Sequence, residues 1–185
     1  MSSDPANNPE NGVPRDEMPG DDKAALTLPH GRFVGRTDFQ QWIRDALLCA
    51  ERDGWREIVV CDANFEDWPL GERAVCDSLN AWSVSGRKFV MLACNYDELT
   101  RRHARFVNWR RTWSHIVECH ACPRADPVDL PSAFYSDRWA MRRLDPVHCT
   151  GVGGDEPERR VQLREVVGEW LRKSSPAFPS SVLGL

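Results

Sequence analysis

Two cysteines and a histidine form the first group of residues whose types and spacing suggest chemistry. Cys119, His120 and Cys122 form a Cys-x-x-Cys motif, a spacing at which two thiolates chelate zinc or exchange electrons. A structural zinc site needs about four ligands, and the chain has no second such motif. The remaining ligands would come from His115, His148 and Cys149. We predict reduced strand-end residues and no cofactor, with zinc at Cys119, Cys122 and His148 as the alternative.

A basic helix with interleaved aromatic residues is the second group. The spacing of apolar residues predicts a helix from Asp97 to about Ser114. Arginine together with aromatic rings binds phosphate groups and stacks on bases. The apolar residues also form one stripe, which is typical of a core-facing helix whose arginines point to solvent. The candidate anion-binding residues are Arg101, Arg102, His103, Arg105, Arg110 and Arg111.

Acidic and amide side chains follow the first predicted buried strand. In open α/β sheets, ligands bind outside the carboxyl ends of the strands, where these residues are expected. Their oxygens suit a divalent metal, although they could equally face the basic helix. The residues are Asp62, Asn64, Glu66 and Asp67.

The stretch from Leu130 to Ala140 resembles the active-site strand of the phospholipase D-like superfamily, whose signature is His-x-Lys-x-x-x-x-Asp. When Asp137 is aligned with the aspartate of that signature, Leu130 takes the histidine position and Ser132 the lysine position. The resemblance extends over residues 33–175 and is closest to degenerate bacterial domains of unknown function. Those domains share a last helix containing tryptophan and a serine-rich ending, as in residues 169–174.

The resemblance implies a domain without phosphodiesterase activity. In the family the histidine attacks phosphorus and the lysine neutralises the phosphoryl oxygens, which leucine and serine cannot do. Active members also bring two motifs together, and this chain has room for one half. The resemblance therefore implies a binding or assembly role with an unknown protein partner. Because a catalytic dimer is not needed, we expect a monomer. The alternatives are nucleic-acid or phosphate binding by helix 101–111, and an enzyme with relocated residues drawn from His103, Asp62, His148 and Asp137.

Helices and strands alternate along the chain and must position these residues. An edge strand is predicted at Phe33–Gly35, and buried strands at Glu57–Cys61, Phe89–Cys94 and His115–Cys122. Two short strands fall within 133–144, and a further strand at 147–150 ends in a glycine-rich stretch. Helices are predicted at 38–53, at 72–84, over the arginine-rich segment, and up to about Lys173. Such alternation predicts an α/β fold with a mixed, mainly parallel sheet and helices on both faces.

Length and composition limit the remaining possibilities. With 185 residues, the chain is the size of one domain plus a tail. Residues 1–29 hold six acidic and two basic residues and account for the net charge of −4, so we predict a disordered acidic tail before a single domain at 30–185. No apolar run approaches the roughly 18 residues of a membrane span. No secretory signal is visible, and we expect a cytoplasmic protein.

Overall fold

The computed structural model describes residues 27–84 and 86–179. Residues 1–26 of the predicted acidic tail, and the apolar residues that end the chain, lie outside this part. Two residues that we assigned to the tail contact the domain. Leu28 packs against the core, and the carbonyl of Pro29 accepts a hydrogen bond from Trp139 Nε1 at 2.9 Å.

Strands and helices alternate in the first part of the domain, and short strands follow. The strands are β1 (Gly31–Val34), β2 (Glu57–Cys61), β3 (Lys88–Ala93), β4 (Val117–Ala121), β5 (Ser132–Tyr135), β6 (Ala140–Asp145), β7 (Thr150–Gly154) and β8 (Ser175–Pro176). The helices are α1 (Arg36–Asp53), α2 (Arg73–Trp82), α3 (Asp97–Arg102), α4 (Ala104–Thr112) and α5 (Pro157–Lys173), with a 3-10 turn at Pro69–Gly71. No helix within 27–84 and 86–179 is both long and apolar enough to cross a membrane.

All the strands named above form one mixed sheet in the order β1-β7-β6-β5-β2-β3-β4-β8. The α/β class is confirmed, but the prediction of a mainly parallel sheet is wrong. β2, β3 and β4 are parallel, whereas every other pairing is antiparallel. Helical crossovers connect the three parallel strands. Short turns at 136–139 and 146–149 connect the later strands, and such turns join only antiparallel neighbours.

The helices cover both faces of the sheet and create two apolar layers. α1 to α4 pack on one face, where Phe39, Leu79 and Phe106 are buried. α5 covers the other face with Leu163 and Val167. β2 is buried on both faces, which agrees with its continuous apolar sequence.

The predicted arginine-rich helix is interrupted at His103. This residue lies between α3 and α4 with a ψ of 51°. Its ring is held by the loop after β2, because Nε2 lies 3.1 Å from the carbonyl oxygen of Phe65. A tertiary contact therefore divides a segment that the sequence pattern predicts as one helix.

The strand predicted at 147–150 begins later in the structure, because β7 starts at Thr150 and consists mainly of the glycine-rich stretch. A Cβ atom at Gly151 would collide with the ring of Phe33 and the carbonyl oxygen of Arg142. A Cβ atom at Gly168 in α5 would meet no atom closer than Arg172 Nη1 at 3.7 Å. A side chain is therefore sterically excluded at Gly151 but would fit at Gly168.

We expect Gly151→Ala to lower the free energy of unfolding by about 1–3 kcal/mol, because the added methyl group overpacks the contact of β1 with β7. Gly168→Ala is the matched control and should raise it by about 0.5–1 kcal/mol, because alanine favours a helix interior. Urea unfolding measures both effects. Equal effects of the two substitutions would show that β7 does not need this close approach.

Candidate functional site

A cavity of about 330 Å³ lies at the carboxyl end of β2, where the parallel and antiparallel parts of the sheet meet. The loop after β2 contributes one wall, the segment leading into β5 another, and the end of β6 a third. β5 runs antiparallel to β2, so the first residue of β5 lies beside the last residues of β2. The same pairing brings Ser132 opposite Arg143 of β6.

A buried ionic network forms the floor of this cavity. Arg143 Nη2 donates to Asp62 Oδ2 at 2.8 Å, and Nη1 donates to Asp67 Oδ2 at 2.9 Å. Arg143 Nε donates to Ser132 Oγ at 3.0 Å, and that hydroxyl donates to Asp62 Oδ2 at 2.5 Å. The side chains of Arg143 and Asp62 are only 6% and 2% exposed. The guanidinium group also lies over the ring of Phe39, 4.6 Å from its centroid.

The network stabilises the charged form of Arg143 and the conformation of the loop after β2. Burial opposes the charged form, but Asp62, Cys149 and Asp67 together raise the pKa of Arg143 above its usual value. The second oxygen of Asp62 accepts the backbone N–H groups of Asn64 at 3.2 Å and Phe65 at 3.0 Å. These bonds support the positive φ of 59° at Phe65, a conformation rare for a bulky residue.

The mouth of the cavity combines apolar and unpaired charged side chains. Val128 is 86% exposed at the rim, and Leu144 is also exposed. Asp129 and Arg142 line the cavity, and neither side chain has a hydrogen bond or ion pair to another described residue. The described lining includes neither histidine nor cysteine. The described lining therefore presents charged and apolar groups but no imidazole or thiol.

The structure separates the residues aligned with the phospholipase D-like motif. Ser132 and Leu130 both line the cavity, and Leu130 also packs with the layer under α5. Asp137 lies beyond the other end of β5, exposed in the turn before β6, with its carboxylate 3.5 Å from Arg138 Nε. Leu130 and Ser132 therefore share the cavity with the acidic loop after β2, whereas Asp137 does not line it.

The predicted relocated catalytic residues occupy different places. Asp62 alone of the four lines the cavity. His103 faces the carbonyl of Phe65, and burial lowers its pKa while that hydrogen bond opposes the shift. His148 is exposed and its Nδ1 lies 2.7 Å from Asp145 Oδ2, and Asp137 is in the β5–β6 turn.

The predicted zinc ligands are not brought together. Cys119 packs in the layer under α4 and Cys122 in the layer under α5, because residues three apart in a strand face opposite sides. His148 lies in the β6–β7 turn, several strands from β4. Neither Cys119 nor Cys122 forms a disulfide bond with another described residue. Within the described ranges, one group of three side chains has ligand atoms within 4.8 Å of one another, and all three are exposed: His30, Asp155 and Glu156.

The predicted anion-binding arginines differ in burial and in their partners. Arg101 and Arg102 are tied to Glu98, and Arg102 also contacts Glu66 at 2.7 Å. Arg105 donates to the carbonyl of Gly71 at 3.1 Å. Arg110 is buried, and Arg111 is exposed.

Arg143 and Arg142 are the site residues that sequence analysis missed. The available signal was a pair of arginines in a short strand that is otherwise apolar at its start. Burial of Arg143 favours an acidic partner, and the acidic loop after β2 supplies two.

We expect Arg143→Met to lower the free energy of unfolding by about 3–5 kcal/mol, because it leaves Asp62 buried without its partner. The matched control is Arg142→Met, one residue away and without an ion pair to a described residue, which should change it by less than about 0.5 kcal/mol. Chemical denaturation of the two variants measures the difference. A similar small effect in both would mean that the ionic network does not support the fold.

Comparisons with known proteins bear on the fold. No family model matches the sequence, and no curated protein matches it. Among solved structures, the chain is similar to TrmBL2, described as an archaeal chromatin protein with a novel mode of DNA binding. The identity is 15% and the TM-score 0.62, over 84% of this chain and 56% of that one. The chain thus spans little more than half of TrmBL2, and the two share a fold.

Proposed function

We propose that this chain is a non-catalytic binding domain, built like one half of the phospholipase D-like fold, that holds a small polar ligand at the carboxyl end of β2. The observation that carries the proposal is the cavity itself. Leu130 and Ser132, which stand where the family has its nucleophile and its lysine, line that cavity beside the Asp62–Arg143 ion pair.

The lining explains why we propose binding without hydrolysis. Attack on phosphorus needs a nucleophile that the substrate can reach, whereas Ser132 is buried, with its hydroxyl donating to Asp62 and accepting from Arg143. A phosphoryl group also needs positive charge that is free to meet it. Arg143 is neutralised by two carboxylates.

We expect no turnover of bis(p-nitrophenyl) phosphate above the rate without protein.

The unpaired charges in the lining indicate the class of ligand. Arg142 and Asp129 have opposite signs and no partner in the described part of the chain, so they suit a molecule that carries both a carboxylate and an ammonium group. The volume of about 330 Å³ is at the lower end for small-molecule sites. Exposed apolar residues at the rim favour a ligand with a hydrocarbon part. A free amino acid has all three properties.

The test is a thermal-unfolding screen of the full chain against the free amino acids, followed by calorimetric titration. An amino acid present at a hundred times its Kd should stabilise the protein by about 2.7 kcal/mol. Val128→Trp should abolish this shift because the indole blocks the mouth. Val161→Trp is the matched control, since Val161 is exposed on α5 away from the cavity lining.

Two results would contradict the proposal. The first is a screen in which no amino acid raises the unfolding temperature. The second is a shift that Val128→Trp leaves intact, which would place the ligand elsewhere. An assembly role with a protein partner, and the monomeric state, stay predictions.

A second candidate function is nucleic-acid binding. The fold similarity to TrmBL2, whose description names DNA binding, favours this candidate. In this chain Arg111 is exposed on α4, and Arg101 is exposed on α3, where it is paired with Glu98.

If this second candidate is right, a short labelled DNA duplex should bind at low salt, with affinity that falls steeply as salt is added. The double substitution Arg101→Gln and Arg111→Gln should reduce the salt slope by about one for each arginine removed. Arg164→Gln on α5 is the control, because α5 covers the other face of the sheet. Fluorescence anisotropy measures the affinity of the wild-type chain and of the two variants. Absence of binding at low salt would exclude nucleic acid as the ligand.

A further inference from the structure

A second cavity, of about 640 Å³, lies at the β4 edge of the sheet, two strands away from β2. It is bounded by α4, by β4, and by the segment that follows α5. Arg110 contributes its charged group, while Pro176, Ala177 and Pro179 contribute apolar surface. None of the residues that line the proposed amino-acid site takes part.

Arg110 is buried but incompletely paired. The residue is 5% exposed, and its Nε and Nη1 atoms have no hydrogen-bond acceptor among the described residues. The ring of Phe178 lies against the guanidinium group, with 5.2 Å between Cζ and the ring centroid. A buried donor without an acceptor costs about 1–3 kcal/mol, and more when it is charged. The folded chain thus keeps a costly cation at this position.

The groups around Arg110 do not neutralise it. Burial raises the pKa of the Cys119 thiol by more than its hydrogen bond to Arg110 and the charge of Arg110 lower it, so the thiol stays protonated at neutral pH. The carboxylate of Glu118, which also lines the cavity, is 3.2 Å from Lys88 Nζ. The last turn of α4 favours a positive charge through its carbonyl groups, but these accept no hydrogen bond from Nε or Nη1.

We infer that this second cavity binds an oxyanion, a carboxylate or phosphate group, through Arg110, with the apolar part of the ligand against Pro176, Ala177 and Pro179. The planar guanidinium fork matches the oxygens of either group, and its hydrogen bonds to an anion are about twice as strong as neutral ones. Burial of the fork removes the competing water that weakens such pairs at a surface. Because Nε and Nη1 are covered in this conformation, the ligand supplies their missing acceptors when the ring of Phe178 moves away from the guanidinium group.

The contrast with Arg143 supports this assignment. Both arginines are more than nine-tenths buried. Every guanidinium nitrogen of Arg143 donates to a carboxylate or hydroxyl of the chain, whereas two nitrogens of Arg110 have no such acceptor in the described residues. Arg143 is a structural cation, and Arg110 is a binding group.

The test uses the full chain and the nitrogen-15 resonances of the arginine side chains. Benzoate represents an organic carboxylate, and orthophosphate represents a free phosphate. We expect the Nε–H resonance of Arg110 to shift and saturate with one of the two probes, which identifies the oxyanion. The resonance of Arg111, the next residue in α4 and exposed to solvent, should not saturate.

Two variants complete the experiment. Arg110→Met should remove the rise in unfolding temperature that the active probe causes, and Arg111→Met should retain it. Without a probe, Arg110→Met should unfold at or above the wild-type temperature, because it removes a buried charge that lacks acceptors. Arg110→Lys keeps the charge but loses the fork, and should weaken binding of the probe by about tenfold or more.

Three results would overturn the inference. The first is the absence of a saturating shift with either probe. The second is an equal shift at Arg110 and Arg111, which would indicate a general salt effect. The third is a fall in the unfolding temperature of probe-free Arg110→Met that exceeds the fall in Arg111→Met, which would mean that the chain itself satisfies the guanidinium group. The Val128→Trp variant should bind the probe normally, so failure here is distinct from failure of the amino-acid proposal.

Discussion

The ion pair between Arg143 and Asp62 is the interaction on which the site depends. It joins β6 to the end of β2, and through Ser132 it includes the start of β5. The other oxygen of Asp62 anchors the loop after β2. One buried carboxylate thus connects the parallel part of the sheet to the antiparallel part. Since removal of one partner from such a pair costs several kcal/mol, the cavity and the fold are energetically linked.

The same hydrogen bonds limit what the cavity can do. A serine hydroxyl and an arginine at the carboxyl end of a strand would ordinarily suggest chemistry on an anion. Here the hydroxyl donates to Asp62, and the arginine is shared between Asp62 and Asp67. The charges that remain available, on Arg142 and Asp129, lie toward the mouth. This division between a structural floor and a binding rim is the physical basis for proposing a ligand-binding domain.

Burial has opposite consequences at the two buried arginines. At Arg143 the free-energy cost of burying the charge is offset by carboxylates from the loop after β2. In Arg110 it is offset by the ring of Phe178 and the end of α4, which leave donors unused. Residue type and burial do not distinguish the two arginines, which are 5% and 7% exposed, so only their hydrogen bonds indicate which one is the candidate binding group.

The sequence alone determined the α/β class, the buried strand β2, and the approximate positions of the helices, because hydrophobic periodicity reflects burial on one or both faces. It also placed Asp62 and Asp67 at the carboxyl end of a strand, where ligands bind in open α/β sheets. Tertiary structure decided the rest. β5 pairs with β2, which makes the sheet mainly antiparallel and brings Ser132 and Arg143 to Asp62. Cys119 and Cys122 face opposite sides of β4, and His103 divides the arginine-rich segment. Strand order and side-chain partners come from contacts between residues far apart in the chain, and local patterns carry no information about them.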